Sequence, residues 1–117
     1  MAPEPITVVV TFTIRDGERE RFLATLLAHL PSCVAEQTCR RMWVHEDPDD
    51  PNRFMLFEEW DDRTEFLEVQ LARPYREPYM AATEHLWAAP RATTLWRRVP
   101  TAWDTDLDLN PKDELTP

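Results

Sequence analysis

The segment from Trp43 to Asp62 restricts the fold more than any other part of this chain. It reads WVHEDPDDPNRFMLFEEWDD: two strand-like runs flank a turn rich in Pro and Asp, and a helix start follows the second run. The run from Phe54 to Trp60 is apolar and aromatic and has the length of a strand. Side chains two apart on a strand point the same way, so Glu58 and Trp60 share one face. An acid beside a large ring on a sheet face favours a pocket over a solid core.

The first third of the chain predicts a strand followed by a helix. From Ile6 to Ile14, apolar residues alternate with Thr and Val, which is typical of a strand with one apolar and one semi-polar face. Asp16 and the following Gly end this strand, and Asp16 is expected to cap the next helix. Residues 18–30 are amphipathic. Pro31 should end, kink or restart that helix.

The remaining elements complete an α+β plan. Strict alternation over Cys39–Glu46 places Cys39, Arg41, Trp43 and His45 on one face of a second strand. Beyond the hairpin, the pattern predicts a helix capped by Asp62 and Glu65, another helix around Pro78, and a fourth strand, Ala92–Val99. The order β-α-β-β-α-(α)-β predicts a ferredoxin-like split βαβ domain over residues 1–100, with a four-stranded antiparallel sheet and helices on one face. The uncovered face predicts that two copies meet as a dimeric α+β barrel. Residues 101–117 are expected to form an acidic tail.

Charge and cysteine content exclude several classes of protein. The formal net charge of −9 argues against binding to nucleic acid or to an anionic membrane. No Gly-rich phosphate-binding motif is present. Cys33 and Cys39 have no second Cys/His pair near them, so we expect reduced, buried thiols and no zinc site. With no signal peptide and no long apolar span, a cytoplasmic protein is expected.

This order of elements, with Glu58-x-Trp60 ending the third strand, resembles the antibiotic biosynthesis monooxygenase family of dimeric α+β barrels. The resemblance covers roughly residues 5–99 and rests on VVVTFTIRDGERERFLATL, the strand that begins at Cys39, the hairpin and FEEWDD. It implies a cofactor-free oxygenase of secondary metabolism that acts on aromatic polyketides or quinols, in a pocket between sheet and helices. The chain departs from many relatives at Gln37-Thr38, where they carry Pro-Gly. It also has Val69-Gln70-Leu71 where the quinol-oxidising type carries a His, which disfavours His-dependent chemistry, including haem ligation.

Oxygenation without a cofactor needs a base, a donor that stabilises the substrate anion, and a dry aromatic pocket. Trp60 is a predicted wall whose indole N–H donates to a substrate oxygen, with a core position as the alternative. His45 is a candidate base because imidazole titrates near neutrality, with a solvated surface position as the alternative. Glu58 either acts as a base whose pKa is raised by burial, or pairs with Arg41 or Arg97.

Other residues are predicted to bind the substrate. These are Trp43, Phe66, Tyr75, Tyr79, His85 and Trp87. His29 is expected at the surface, and Arg76 is either an oxyanion donor or an exposed cation. The expected partners are a small aromatic substrate, O₂ and a second copy of the chain, with no cofactor and no metal. Two alternatives stay open on the same fold: a polyketide cyclase, and a non-catalytic protein that binds a hydrophobic ligand.

Overall fold

A four-stranded antiparallel sheet carries helices on one face in the computed structural model, which describes residues 2–104. The strand order across the sheet is β2-β3-β1-β4. The elements are β1 (Ile6–Thr13), α1 (Arg19–Val34), β2 (Cys39–Glu46), β3 (Arg53–Trp60), α2 (Arg63–Glu68), α3 (Arg76–Thr83) and β4 (Ala92–Trp96), with 3₁₀ turns at Gln70–Ala72 and Glu84–Leu86. This arrangement confirms the predicted ferredoxin-like α+β fold. Of the predicted acidic tail, residues 105–117 lie outside the described part of the chain.

The core lies between the helices and one face of the sheet. Along β1 and β3, every second residue is buried, as the alternation of the sequence predicted. One face of α1 carries buried residues at helical spacing, and they pack against the buried side chains of the sheet. The buried set includes Ile6, Val8, Val10, Phe12, Phe22, Leu26, Leu30, Cys33, Phe54, Leu56, Trp60 and Phe66. We call the other side of the sheet, which no helix within residues 2–104 covers, the open face.

A bulge in β2 overturns the strict alternation predicted for that strand. The register shifts between Cys39 and Arg41, so that Cys39 lies opposite the last residue of β3 while Arg41 lies opposite Glu59. Because one extra residue reverses the direction of every later side chain, Cys39 faces the helices. Arg41, Trp43 and His45 consequently lie on the open face.

The first helix begins and ends differently from the prediction. It is continuous through Pro31 to Val34, so Pro31 does not end it. Asp16 does not cap it, because its Oδ1 instead accepts a hydrogen bond of 2.6 Å from Asn52 Nδ2 in the hairpin turn. Gly17 has a φ of +83°, a left-handed conformation that favours glycine. The turn into α1 is therefore shaped by its backbone and by a contact with the hairpin.

The helices after β3 follow the sequence signals more closely. Asp62 Oδ1 accepts a hydrogen bond from the backbone N–H of Thr64 and so caps α2 as predicted. Pro78 lies within the first turn of α3. β4 ends three residues earlier than the predicted Val99. Among the described residues, no helix has both the length and the apolar content needed to span a bilayer.

Candidate active site

A small void lies between α1, α3 and the helix-facing side of the sheet, and we call it the inner cleft. Its volume is about 30 Å³, enough for one or two water molecules. Its apolar walls come from β1, α1, β2 and β3. The side chains with chemical functions that line it are His29, Cys33, Glu58, Arg76, Tyr79 and Arg91.

Glu58 is the carboxyl group of the inner cleft. It is only 6% exposed, because its position on β3 faces the helices. Burial raises its pKa, while a hydrogen bond from Trp60 and the charges of Arg76 and Arg91 act in the opposite direction. The raised pKa makes Glu58 a stronger base, when ionised, than an ordinary carboxylate. It is not paired with Arg41 as one prediction had it, because the bulge in β2 turns that arginine to the open face.

Trp60 holds the Glu58 carboxyl group in place. Its indole Nε1–H donates to Glu58 Oε1 at 2.9 Å, and its side chain is fully buried. The ring centroid lies 5.2 Å from that of Phe66 on α2. The indole N–H of Trp60 was predicted to donate to a substrate oxygen, but here it donates to the carboxyl group of Glu58. Trp60 acts on the inner cleft through Glu58.

His29 and Tyr79 form a stacked pair across the inner cleft. Their ring centroids are 4.0 Å apart and their planes are 8° from parallel. Burial lowers the pKa of His29 to about 4, assisted by the positive charges of Arg76 and Arg91, so the imidazole is neutral at pH 7. Burial also raises the pKa of Tyr79 to about 12, which keeps its phenol protonated. The expectation that His29 lies at the surface was wrong, since its side of α1 packs against Tyr79 of α3.

Two arginines give the inner cleft a positive charge. Arg76 Nε donates to the backbone oxygen of Gln70 at 2.7 Å. Its Nη2 is buried, and no residue within the described range 2–104 offers it a hydrogen-bond acceptor. The guanidinium of Arg91 lies 5.6 Å from the ring centroid of Trp87. Both arginines are close enough to Glu58 to influence its pKa.

Three of the predicted site residues lie away from the inner cleft. Trp43 stacks on Phe57 on the open face, with ring centroids 5.3 Å apart. His45 is exposed on the same face, two residues along β2. His85 is exposed in the 3₁₀ turn before β4. The structure therefore separates the predicted base His45 from Glu58 by the thickness of the sheet.

The other predicted residues surround the inner cleft without lining it. Phe66 is buried against Trp60. Tyr75 donates its hydroxyl to Glu36 at 2.9 Å, and Trp87 packs against Phe12 with ring centroids 6.3 Å apart. No group of three or more His, Cys, Asp or Glu in the described part of the chain is arranged to hold a metal ion. Cys33 and Cys39 are both buried, as predicted.

A larger cavity of about 510 Å³ lies where β1 begins and β3 ends, next to residues 97–104, and we call it the outer groove. Its charged side chains form ion pairs with one another. Glu59 pairs with Arg41 and, at 2.8 Å, with Arg98. Arg97 pairs with Glu4 at 3.2 Å, so it is not a partner of Glu58 either. The outer groove is larger than the inner cleft, but most of its charge is neutralised.

The position of His29 in the helical pattern of α1 indicates a buried site, contrary to the prediction that it lies at the surface. His29 lies three residues after Leu26 and four before Cys33, which are both buried on the apolar stripe of α1. A polar residue on a buried stripe indicates a site. Arg91 carries no comparable signal, because it lies in an irregular segment whose position depends on the packing around Trp87.

Comparisons with known proteins agree with this architecture. A family model described as antibiotic biosynthesis monooxygenase matches residues 5–77. The structure of Rv0793 from Mycobacterium tuberculosis is 27% identical with a TM-score of 0.76, covering 85% of this chain and 99% of that one. The structure of SnoaB, a cofactor-independent oxygenase from Streptomyces nogalater, is 20% identical with a TM-score of 0.74, covering 85% and 97%. Uncharacterized protein sll1783 from Synechocystis is 24% identical over 96 residues, which are 82% of this chain but 65% of that relative.

Proposed function

Because the chain belongs to the antibiotic biosynthesis monooxygenase family, we propose that it is a cofactor-independent monooxygenase that oxidises an aromatic polyketide or quinol-type substrate with O₂. The family includes cofactor-independent oxygenases, of which SnoaB, similar in fold to this chain, is one. The observation that carries the proposal is the buried carboxyl group of Glu58, held by Trp60 beside two arginines. Such a group is suited to removing a proton from a weakly acidic substrate.

The proposed reaction begins with proton transfer to Glu58. An enolised anthrone gives its hydroxyl proton to the carboxylate, and the resulting anion transfers one electron to O₂. The substrate radical and superoxide then combine at the ring carbon, and the proton on Glu58 returns to give a hydroperoxide. Loss of water breaks the O–O bond, with the remaining ring hydrogen leaving as a proton. One oxygen atom ends in the quinone carbonyl and the other in water, so no external reductant is required.

The surroundings of Glu58 support this chemistry through charge and through exclusion of water. Arg76 and Arg91 stabilise negative charge that develops on the substrate. The neutral stack of His29 on Tyr79 closes the inner cleft toward α3. Pockets for ligands of this size measure roughly 300–1,000 Å³, so the proposal requires α3 to move away from the sheet when substrate binds. The substrate would then displace the ring of Tyr79 from His29.

We further propose that the chain acts as a homodimer whose subunits meet through the open face. That face carries apolar side chains with large exposed areas: Trp43 is 43% exposed and Trp96 is 59% exposed. Every residue of β4 is exposed. A contiguous apolar surface on a sheet indicates a protein interface. A second copy would bury these rings against each other and close the α+β barrel.

A second candidate function is the binding of a hydrophobic ligand without turnover. It is favoured by the outer groove, which at about 510 Å³ is already large enough for a small organic molecule. A ligand held there would lie against Ile6 and between ion pairs, and neither His29 nor Tyr79 lines this groove. This candidate predicts tight binding that replacement of Glu58 leaves unchanged.

Oxygen uptake tests the proposed function. The purified protein is mixed with a dihydroxyanthrone or a hydroxynaphthalene in the presence of a chelator and without flavin, and O₂ is followed with an electrode. We expect enzyme-dependent uptake that matches quinone formation one to one and that falls at least a hundredfold in Glu58→Gln. Binding of these compounds without uptake would favour the ligand-binding function. Conversion of a poly-β-ketone without O₂ consumption would identify a cyclase.

A further inference from the structure

Gln70 is the buried residue of the turn between α2 and α3. Its side chain is 1% exposed, whereas Val69 and Leu71 on either side are 41% and 47% exposed. Because these neighbours face solvent, the side chain of Gln70 is the part of the turn that attaches it to the rest of the domain. The helix α3, which follows the turn, begins at Arg76.

The amide group of Gln70 forms hydrogen bonds with two other parts of the fold. Its Nε2 donates to Glu65 Oε1 on α2 at 2.6 Å, and to Thr38 Oγ1 beside the start of β2 at 3.4 Å. Thr38 Oγ1 donates in turn to Glu65 Oε2 at 3.2 Å. A carboxylate only accepts hydrogen bonds, so the amide nitrogen faces Glu65 and the amide oxygen points elsewhere. We call these three side chains the turn anchor.

Stability alone does not account for the turn anchor. Gln70 Oε1 is buried, and no residue within the range 2–104 offers it a donor. A buried polar atom without a partner destabilises a fold, and an apolar side chain of the same size would avoid that loss. A buried polar side chain of this kind indicates a role besides packing.

The backbone of Gln70 connects the turn anchor to the inner cleft. Its carbonyl oxygen accepts from Arg76 Nε at 2.7 Å and from the backbone N–H of Arg73 at 3.1 Å. Among the described residues, this is the one hydrogen bond that the guanidinium group of Arg76 makes. An arginine side chain has many rotamers, so a single hydrogen bond fixes its direction only when the acceptor is itself fixed.

We infer that Gln70 is a positioning residue of the inner cleft: its buried side chain fixes the turn whose backbone oxygen orients Arg76. The inference rests on the proposed function for its meaning in catalysis, because Arg76 and the proposed base Glu58 line the same cleft. Burial raises the pKa of Glu58, and the positive charge of Arg76 opposes this rise. A loosened turn lets Arg76 move away, so the pKa of Glu58 then rises further.

The indole group of Trp60 provides a reporter that needs neither substrate nor O₂. Its Nε1–H donates to Glu58 Oε1 at 2.9 Å, so the NMR resonance of this N–H should shift when Glu58 gains a proton. Trp60→Phe assigns the resonance by its loss, and Glu58→Gln shows which step of the titration belongs to Glu58. The steps that remain in Glu58→Gln come from the other groups around the cleft that carry or change charge: His29, Cys33, Arg76, Tyr79 and Arg91.

The variants break the turn anchor from both sides. Gln70→Met keeps the length of the side chain without its hydrogen bonds, and it should raise the pKa of Glu58 at least half as much as Arg76→Met does. Glu65→Met removes the partner of Gln70 and should also raise this pKa, although the loss of a negative charge by itself acts in the opposite direction. Gln37→Met makes the matched change at an exposed position and should leave the pKa of Glu58 unchanged.

A double variant separates positioning from a direct effect of Gln70. If Gln70 acts through Arg76, then Gln70→Met combined with Arg76→Met should give the same pKa of Glu58 as Arg76→Met alone, because both changes remove one interaction. In oxygen uptake, Gln70→Met should move the pH–rate profile to higher pH by the same amount as the NMR titration. Thermal unfolding of every variant checks that it folds.

Three results would overturn the inference: a Glu58 pKa that Gln70→Met leaves unchanged, one that Arg76→Met leaves unchanged, or a double variant that raises it beyond Arg76→Met. If Gln70→Met does not fold, Glu65→Met decides, and failure of both to fold would assign the turn anchor to the fold alone. The proposed function fails separately. Shifted titrations without O₂ uptake would remove the oxygenase and leave the inference standing, and uptake with unshifted titrations would do the reverse.

Discussion

Replacement of Glu58 by Gln separates the chemical role of this carboxyl group from its effect on stability. Gln has nearly the same shape, and its amide oxygen still accepts the hydrogen bond that Trp60 donates at 2.9 Å in the native protein. The variant loses the base, so kcat should fall by roughly 10²–10⁴. Oxygen uptake with a dihydroxyanthrone measures this loss.

Although Glu58→Gln should lose activity, it should become more stable relative to the wild type as pH rises. Burial raises the pKa of Glu58 above its ordinary value of 4.5, so the folded state binds the proton more tightly than the unfolded state. The contribution of Glu58 to stability is therefore largest below pH 4.5 and is lost as pH rises from there through the folded pKa. Each tenfold gain in proton affinity corresponds to about 1.4 kcal/mol. Glu58→Gln lacks this loss, so its free energy of unfolding relative to wild type should rise between pH 4 and pH 8.

Glu59 provides a matched control one residue along the same strand. Its carboxylate lies on the open face and pairs with Arg41 and Arg98. Glu59→Gln removes charge-assisted hydrogen bonds and should cost roughly 1.5–3 kcal/mol, while the chemistry at the inner cleft continues. Urea unfolding at several pH values measures both variants. The reasoning is refuted if Glu58→Gln keeps more than about a tenth of the activity, or if its free energy of unfolding runs parallel to wild type across the pH range.

Three further predictions address the backbone and the electrostatics. Trp60→Phe deletes the donor that lowers the pKa of Glu58, so the pH–rate profile should move to higher pH; an unmoved profile would contradict the contact. Gly17→Ala should lower the free energy of unfolding by about 1–2 kcal/mol, because a φ of +83° is unfavourable for alanine. An added Cβ meets nothing within 4 Å, so no steric clash contributes. An unchanged midpoint of urea unfolding would argue against the left-handed turn. His29 should stay neutral down to about pH 4 in NMR titration, and a midpoint near 6.5 would place it in solvent.

Local patterns were sufficient to predict most of the fold. The alternation from Ile6 gives the buried face of β1, and the acidic cap at Asp62 marks the start of α2. Both features depend on residues close in sequence. The position of Glu58 and Trp60 on one face of β3 could be predicted in the same way, because in a strand without a bulge every second side chain points to the same side.

The errors came from features that depend on distant packing. A single bulge after Cys39 moves Trp43 and His45 to the open face, and alternation within β2 gives no sign of it. The stacking of His29 on Tyr79 depends on how α1 and α3 pack against each other, and no pattern within either helix specifies it. Residues far apart in sequence thus assemble most of the inner cleft.

A crystal structure of Glu58→Gln with a dihydroxyanthrone bound in the absence of O₂ tests the central claim most directly. We predict the substrate in a widened inner cleft, with Tyr79 displaced from His29, one substrate oxygen on Arg76, and a hydroxyl against the substituted side chain. A substrate bound in the outer groove, with the stack of His29 and Tyr79 still closed, would contradict the account.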